Sequence, residues 1–319
     1  MGKKYRLRLS AIVCSFFFVA LVVACQGKSG FRPEKPHSLC IDGQGRIYFT
    51  DSELECIVRM DDISGKHLVS FGKKGYGGVG AFRLLESGIV VDKEGRIYVV
   101  DIKSARIIRV DDMAGNGWTE FSTEPLGFPV PADLAVDSGG RVYFIDMYKG
   151  LMGRVDSMKG DGLVIFGGKG TGEGQFMQPI SVSLDDEGRI YIADDARHCL
   201  SRIDDMTGKG WIAWDGGPDR LFENGPTRPA IGPDGKIYLT SWSDGRIIRI
   251  DDMSGTNAVV WGGRDSTGFT AWGPLDLGFD RAGRIIFTDV RGRQVVRIDG
   301  MDGKGLVVWP KKVNITRFK

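Results

Sequence analysis

Between residues 34 and 310, short apolar runs alternate with polar turns in a rhythm that repeats six times. The segment Asp42-Gly43-Gln44-Gly45-Arg46-Ile47-Tyr48 returns at 92–98, 137–143, 185–191, 232–238 and 280–286. Its second glycine, at Gly45, Gly95, Gly140, Gly188, Gly235 and Gly283, recurs at intervals of 50, 45, 48, 47 and 48 residues. A second polar element follows each first one: Arg59-Met60-Asp61-Asp62, with counterparts opening at Arg109, Arg154, Arg202, Arg249 and Arg297. The apolar runs are β-branched and aromatic, as strands require. The Asp-x-x-Gly segments read as tight turns, in which the carboxylate accepts backbone amides and glycine takes the positive-φ corner. Each repeat therefore predicts four antiparallel strands, and six such repeats predict an all-β, six-bladed β-propeller. No segment sustains a 3.6-residue apolar period, so helices are expected to be nearly absent.

The first residues follow another logic. Lys3, Lys4, Arg6 and Arg8 precede an apolar run over 9–24, the pattern of a secretory signal. The run is about 16 residues, short of the ~20 that cross a bilayer as a helix. It ends in Leu21-Val22-Val23-Ala24-Cys25, which resembles a bacterial lipobox. That resemblance implies cleavage before Cys25 and diacylglyceryl attachment to its sulfur, hence palmitate-type anchoring at a membrane. By likeness to lipoproteins of diderm bacteria, a residue other than Asp after Cys25 implies the outer membrane, on its periplasmic or surface side. The expected divisions are a signal at 1–24, a flexible tether at 25–33, the propeller at 34–310 and a tail at 311–319.

Charge and cysteine content narrow the function classes. A net charge of +2 with interspersed signs leaves no basic stripe for nucleic acid. Of five cysteines, Cys40, Cys56 and Cys199 remain after the signal and the anchor, an odd set that reads as packed or free thiols.

Phe166-Gly167-Gly168-Lys169-Gly170-Thr171-Gly172-Glu173-Gly174-Gln175-Phe176, then Pro179, then residues 185–194, resembles an NHL repeat. Phe71-Gly72-Lys73-Lys74-Gly75 is the next nearest unit. The resemblance implies the six-bladed propeller and leaves activity open, because such propellers include lyases, lactonase-like hydrolases and protein-binding modules.

Functional candidates are sought where the six copies disagree. Residues repeated in every blade are expected to serve the blade, the six arginines above by inter-strand or inter-blade ion pairs and by bonds to turn carbonyls. Four positions before each first turn, at the central funnel, stand Ser38, Gly88, Asp133, Ser181, Arg228 and Asp276. Two positions earlier stand Pro36, Glu86, Pro131, Pro179, Pro226 and Pro274. Loops between second and third strands add Tyr148, Arg197, His198, Trp242, Arg291 and Arg293, and Ser241 replaces the aspartate of the other five units. Exposed aromatics beside arginine are typical binding anchors. The expected rim for a ligand or partner is thus Ser38, Glu86, Asp133, Tyr148, Ser181, Arg228, Trp242 and Asp276. The leading expectation is a membrane-anchored, extracytoplasmic binding or scaffolding module for an envelope protein or a small polar ligand, with no catalytic residue assigned. The alternative is a metal-dependent, lactonase-like hydrolase or lyase at the funnel, where Glu86, Asp133 and Asp276 would supply some of the oxygen ligands of a calcium ion while no Asn stands at any aligned funnel position; the leading expectation carries no cofactor. Three histidines are too few for a converging zinc site.

Overall fold

A computed structural model describes residues 31–263 and 271–310, together with the backbone of Cys25–Gln26. The expected signal at 1–24 and the tail at 311–319 lie outside the described residues. Six antiparallel four-stranded sheets follow one another along the chain, each contiguous in sequence. Blade 4 shows the pattern: an inner strand Pro179–Leu184, then Ile190–Asp194, Cys199–Ile203 and an outer strand Ile212–Trp214. The other inner strands are Pro36–Ile41, Ile89–Val91, Pro131–Val136, Arg228–Ile231 and Pro274–Phe279. Among the described residues the helices are two single turns of 3-10 type, Ile102–Ser104 and Glu124–Leu126.

Each turn uses the chemistry that its residues carry. In blade 4 the Asp185 Oδ1 accepts the Glu187 and Arg189 amides at 3.1 and 2.8 Å, while its Oδ2 accepts Arg189 Nε at 2.6 Å and the Tyr191 hydroxyl at 3.0 Å. Such charge-assisted bonds are the strong class, and they hold the hairpin without help from a neighbour.

There is one apolar core per blade interface rather than one for the molecule. Phe71, Phe82, Val99 and Ile108 fill the joint of blades 1 and 2, and Leu39, Phe49, Ile286 and Trp309 that of blades 6 and 1. The last aromatic of each outer strand also wedges over a turn glycine of the following blade. Phe166 lies on Gly208, Trp214 on Gly255 and Trp309 on Gly65. A methyl group at Gly65 would collide with the Trp309 indole nitrogen, so the close approach demands glycine. Trp309 closes the ring in this way: blade 6 packs on blade 1 without exchange of a strand. Truncating a buried aromatic of this size to Ala costs about 3–5 kcal/mol.

Two features depart from the sequence reading. Cys25–Gln26, expected within a free tether, forms a fifth strand on the outer edge of blade 1, with Cys25 opposite Ser70 and Gln26 opposite Val69. The six repeated arginines make their ion pairs within the turn that follows, each with the Asp two residues on, as in Arg154 to Asp156 at 3.1 Å, and Arg297 also donates to the turn carbonyl of Gly305 at 3.2 Å as expected. The arginine sits on a third strand that runs straight into that turn, so the nearest carboxylate is local.

Candidate functional site

The funnel is positioned by carboxylates at the ends of the second strands. Asp194, fully buried, accepts the amides of Met177 at 2.7 Å, Gln178 at 2.9 Å and Arg197 at 3.2 Å, and so ties the inner strand's start to the next loop. Asp51, Asp146 and Asp289 do the same in blades 1, 3 and 6, while Asp101 of blade 2 accepts the Arg83 and Leu84 amides and the Arg106 guanidinium. Blade 5 has Ser241 at this place. Its hydroxyl donates to Asp244 at 2.5 Å, and Asp244 accepts the Glu223 amide at 3.0 Å. The carboxylate has moved three residues along the chain and kept part of the task.

Five of the expected residues meet at the axis. Asp133 of blade 3 and Asp276 of blade 6 occupy equivalent positions three blades apart. Each uses Oδ2 to accept a serine hydroxyl and the following amide of the next blade: Ser181 at 2.8 Å and Val182 at 2.9 Å for Asp133, Ser38 at 2.7 Å and Leu39 at 2.7 Å for Asp276. Arg228 of blade 5 reaches both, with a guanidinium nitrogen 2.7 Å from Asp133 Oδ2 and Nε 3.4 Å from Asp276 Oδ2. Opposite Arg228, in blade 2, stands Gly88, where a methyl group would collide with Asp133 Oδ1. The inner ring is therefore two-fold in its Asp–Ser pairs and broken only at the Arg228 and Gly88 positions.

These groups are deeply set. Ser38 and Asp133 are fully buried, Ser181 nearly so, and the Arg228 side chain is 11% exposed. Burial pushes the Asp276 carboxyl above the ordinary carboxylate range, against the pull of Arg228, the Leu39 amide and the Ser38 hydroxyl. Burial, with Arg228 and Lys35 nearby, holds His37 well below the usual imidazole value of 6.5. Two buried atoms at this level lack a hydrogen-bond partner, Asp133 Oδ1 and His37 Nδ1. Glu86 pairs with Lys35 of blade 1. The three acids considered as calcium ligands thus each face a basic side chain, and among the described residues no three His, Cys, Asp or Glu side chains form a metal-holding group. Cys40 and Cys199 form no disulfide among the described residues, Cys56 is buried, and burial pushes the Cys40 thiol up to about 12.

The remaining two expected residues lie apart, on exposed loops. Tyr148 is 68% exposed, with Lys169 Nζ 5.9 Å from its ring centre and donating to the Tyr148 carbonyl at 3.1 Å. Trp242 is 38% exposed, and the Arg291 guanidinium of blade 6 stacks on it at 4.1 Å. Trp272, 64% exposed, extends this cluster, its carbonyl accepting from Arg291 at 3.5 Å. Trp272, Lys35 and Lys169 were not among the expected residues. Trp272 and Lys35 precede the inner strand by two residues or one, and Lys169 follows an outer strand; comparison of the connecting loops would have brought them forward.

No known protein family and no curated protein matches the sequence. Solved propellers do match the structure. A catalytically inactive virginiamycin B lyase from Staphylococcus aureus with quinupristin is similar with a TM-score of 0.62 at 14% identity, over 91% of this chain and 88% of that one. A streptogramin B lyase aligns with a TM-score of 0.61 at 17% identity, over 89% and 85% of the two chains. A chain of the nidogen/laminin complex aligns with a TM-score of 0.53 at 18% identity, over 68% and 76%. At these identities the likeness concerns the propeller fold alone.

Proposed function

We propose that the protein is a lipid-anchored, extracytoplasmic binding propeller that engages its partner through aromatic and cationic side chains on the loops between blades. One observation carries the reading: Arg291 stacks on Trp242 while Trp242 and Trp272 keep 38% and 64% of their surface exposed. An indole held by a stacked guanidinium, with a second exposed indole whose carbonyl bonds the same arginine, gives contact area at low entropic cost, which is the character of interface hot spots. The axial charges, by contrast, are committed to one another, so Arg228 and Asp276 act as a strut beneath the surface. The lipobox-like segment at 21–25 supports placement at the cell envelope, and propeller neighbours that occur with a protein or a small molecule support a binding role. A photo-crosslinking residue at position 272 should trap a partner in whole cells, whereas the same residue at Lys209, in a turn on blade 4, should not. Equal yields from the two positions would refute the surface.

A further inference from the structure

The loop after the outer strand of blade 1 differs from its counterpart after blade 3. Both follow a Phe-Gly pair and fold back through parallel backbone pairing: Lys73 with Ala81 and Lys74 with Phe82 in one, Lys169 with Phe176 in the other. The blade 3 loop fills its centre with polar groups, the Gly172 amide donating to Gln175 Oε1 at 3.1 Å. The blade 1 loop presents Tyr76, 90% exposed, and Val79, 55% exposed. Lys73 and Lys74 beside them are exposed as well. The Arg83 guanidinium lies 5.2 Å from the Tyr76 ring and donates to the Lys103 carbonyl at 3.0 Å, which brings a fourth basic residue to the cluster. Among the described residues, none of these four basic side chains is within ion-pair distance of a carboxylate. The loop's shape is held by the Lys73 amide to Gly80 at 2.9 Å and the Gly75 amide to Phe82 at 2.8 Å.

Position supplies the second observation. Cys25 pairs with Ser70, three residues before Lys73 on the same outer edge. A chain advances at most ~3.5 Å per residue, so the start of the loop lies within about 10 Å of the Cys25 pairing along that edge.

We infer that the 73–80 loop is a membrane contact, in which Tyr76 and Val79 enter the interface and Lys73, Lys74, Arg83 and Lys103 meet anionic lipid headgroups. Aromatic and aliphatic side chains flanked by basic ones are the usual composition of an interfacial contact. Lipid on Cys25 and this loop together hold the propeller by the edge of blade 1. The inference rests on the lipid anchor proposed above.

The test uses the full chain, purified from membranes in detergent and reconstituted in vesicles of phosphatidylcholine alone or with phosphatidylglycerol, and followed by amide hydrogen exchange. The mass of the N-terminal peptide reports acylation in the same sample. The expected result is exchange at 73–80 slowed at least about tenfold in anionic vesicles relative to detergent, since each basic residue near an anionic surface contributes a factor of about five and two of them suffice for that slowing. Exchange at 168–176 should be unchanged. Lys73→Glu with Lys74→Glu, or Tyr76→Ser with Val79→Ser, should abolish the slowing while blade 1 strands keep their protection, which also shows that the variants fold. An acylated N terminus with unaltered loop exchange overturns the loop contact and spares the anchor. An unacylated N terminus overturns the anchor, and with it the edge-on arrangement.

Discussion

Blades 4 and 5 are neighbours built on the same repeat, yet they solve the same structural tasks with different residues. Blade 4 keeps each task at its regular position: Asp185 clamps the first turn, Asp194 caps the inner strand, Ser181 donates to the carboxylate of the previous blade. In blade 5 the first-turn aspartate is Gly232, and Asp234 takes over the tyrosine hydroxyl, at 3.0 Å from Tyr238. Lys236 stands where blade 4 has Arg189 and turns instead to Asp251 at 2.6 Å. Asp244 replaces the missing cap at Ser241, and Arg228 occupies the serine's place. The scaffold's needs persist while their providers shift by two or three residues. What that freedom leaves in blade 5 is the one arginine of the inner ring and the exposed Trp242.

The largest expected effect separates the two blades at the axis. Arg228→Ala leaves Asp133 and Asp276 facing each other without a counterion and should lower stability by about 3–5 kcal/mol, read from urea unfolding. Ser181→Ala, at the same position of blade 4, should lose about 1 kcal/mol. Asp133→Asn with Asp276→Asn in the Arg228→Met background should recover much of the loss, because no buried charge then remains. If Arg228→Ala unfolds at the wild-type denaturant concentration, the strut does not exist.

A smaller difference is expected at the caps. Asp194→Ala orphans three backbone amides and should destabilise by about 2–3 kcal/mol, whereas Asp244→Ala takes the acceptor from one amide and two serine hydroxyls, which can turn to other acceptors, and should cost about 1–2 kcal/mol. Thermal unfolding of the two variants side by side decides the order, and the reverse order would mean that Asp244 is more than a relocated cap.

The smallest effect is one of pH. His37 has its imidazole value depressed in the folded state, so the unfolded chain binds the proton first as pH falls below about 6.5. Its contribution to stability is full above that pH and declines below it, until the folded-state value is reached. His37→Gln should flatten the fall of the unfolding midpoint between pH 6.5 and more acidic values. An unchanged slope would assign the acid sensitivity to other groups.

Much of the architecture was legible because its causes are local. Asp185, Gly188, Arg189 and Tyr191 lie within seven residues and complete their turn by themselves, so the spacing of such sets counts the blades directly. The candidate site was legible only in part. Asp133, Arg228 and Asp276 stood out as an unlike set in one aligned column, but mutual neutralisation depends on side-chain reach across the axis. Asp244 escaped notice because it is three positions from the column it serves. Trp272 and the Tyr76 loop escaped it because connecting loops share no register from blade to blade.

By itself, then, the chain's repetition determined the number of blades, the strands of each and the residues devoted to every turn, since hydrogen bonds over two to six residues need no distant partner. Tertiary structure alone decided that Arg228, 95 positions from Asp133, bridges two buried carboxylates, and that Trp309 meets Gly65 to close the ring. It also decided which aromatics stay exposed and that Cys25 lies against the outer edge of blade 1. These contacts arise only when the last blade packs on the first and brings chain-distant groups within a few ångströms, and no local pattern encodes that distance.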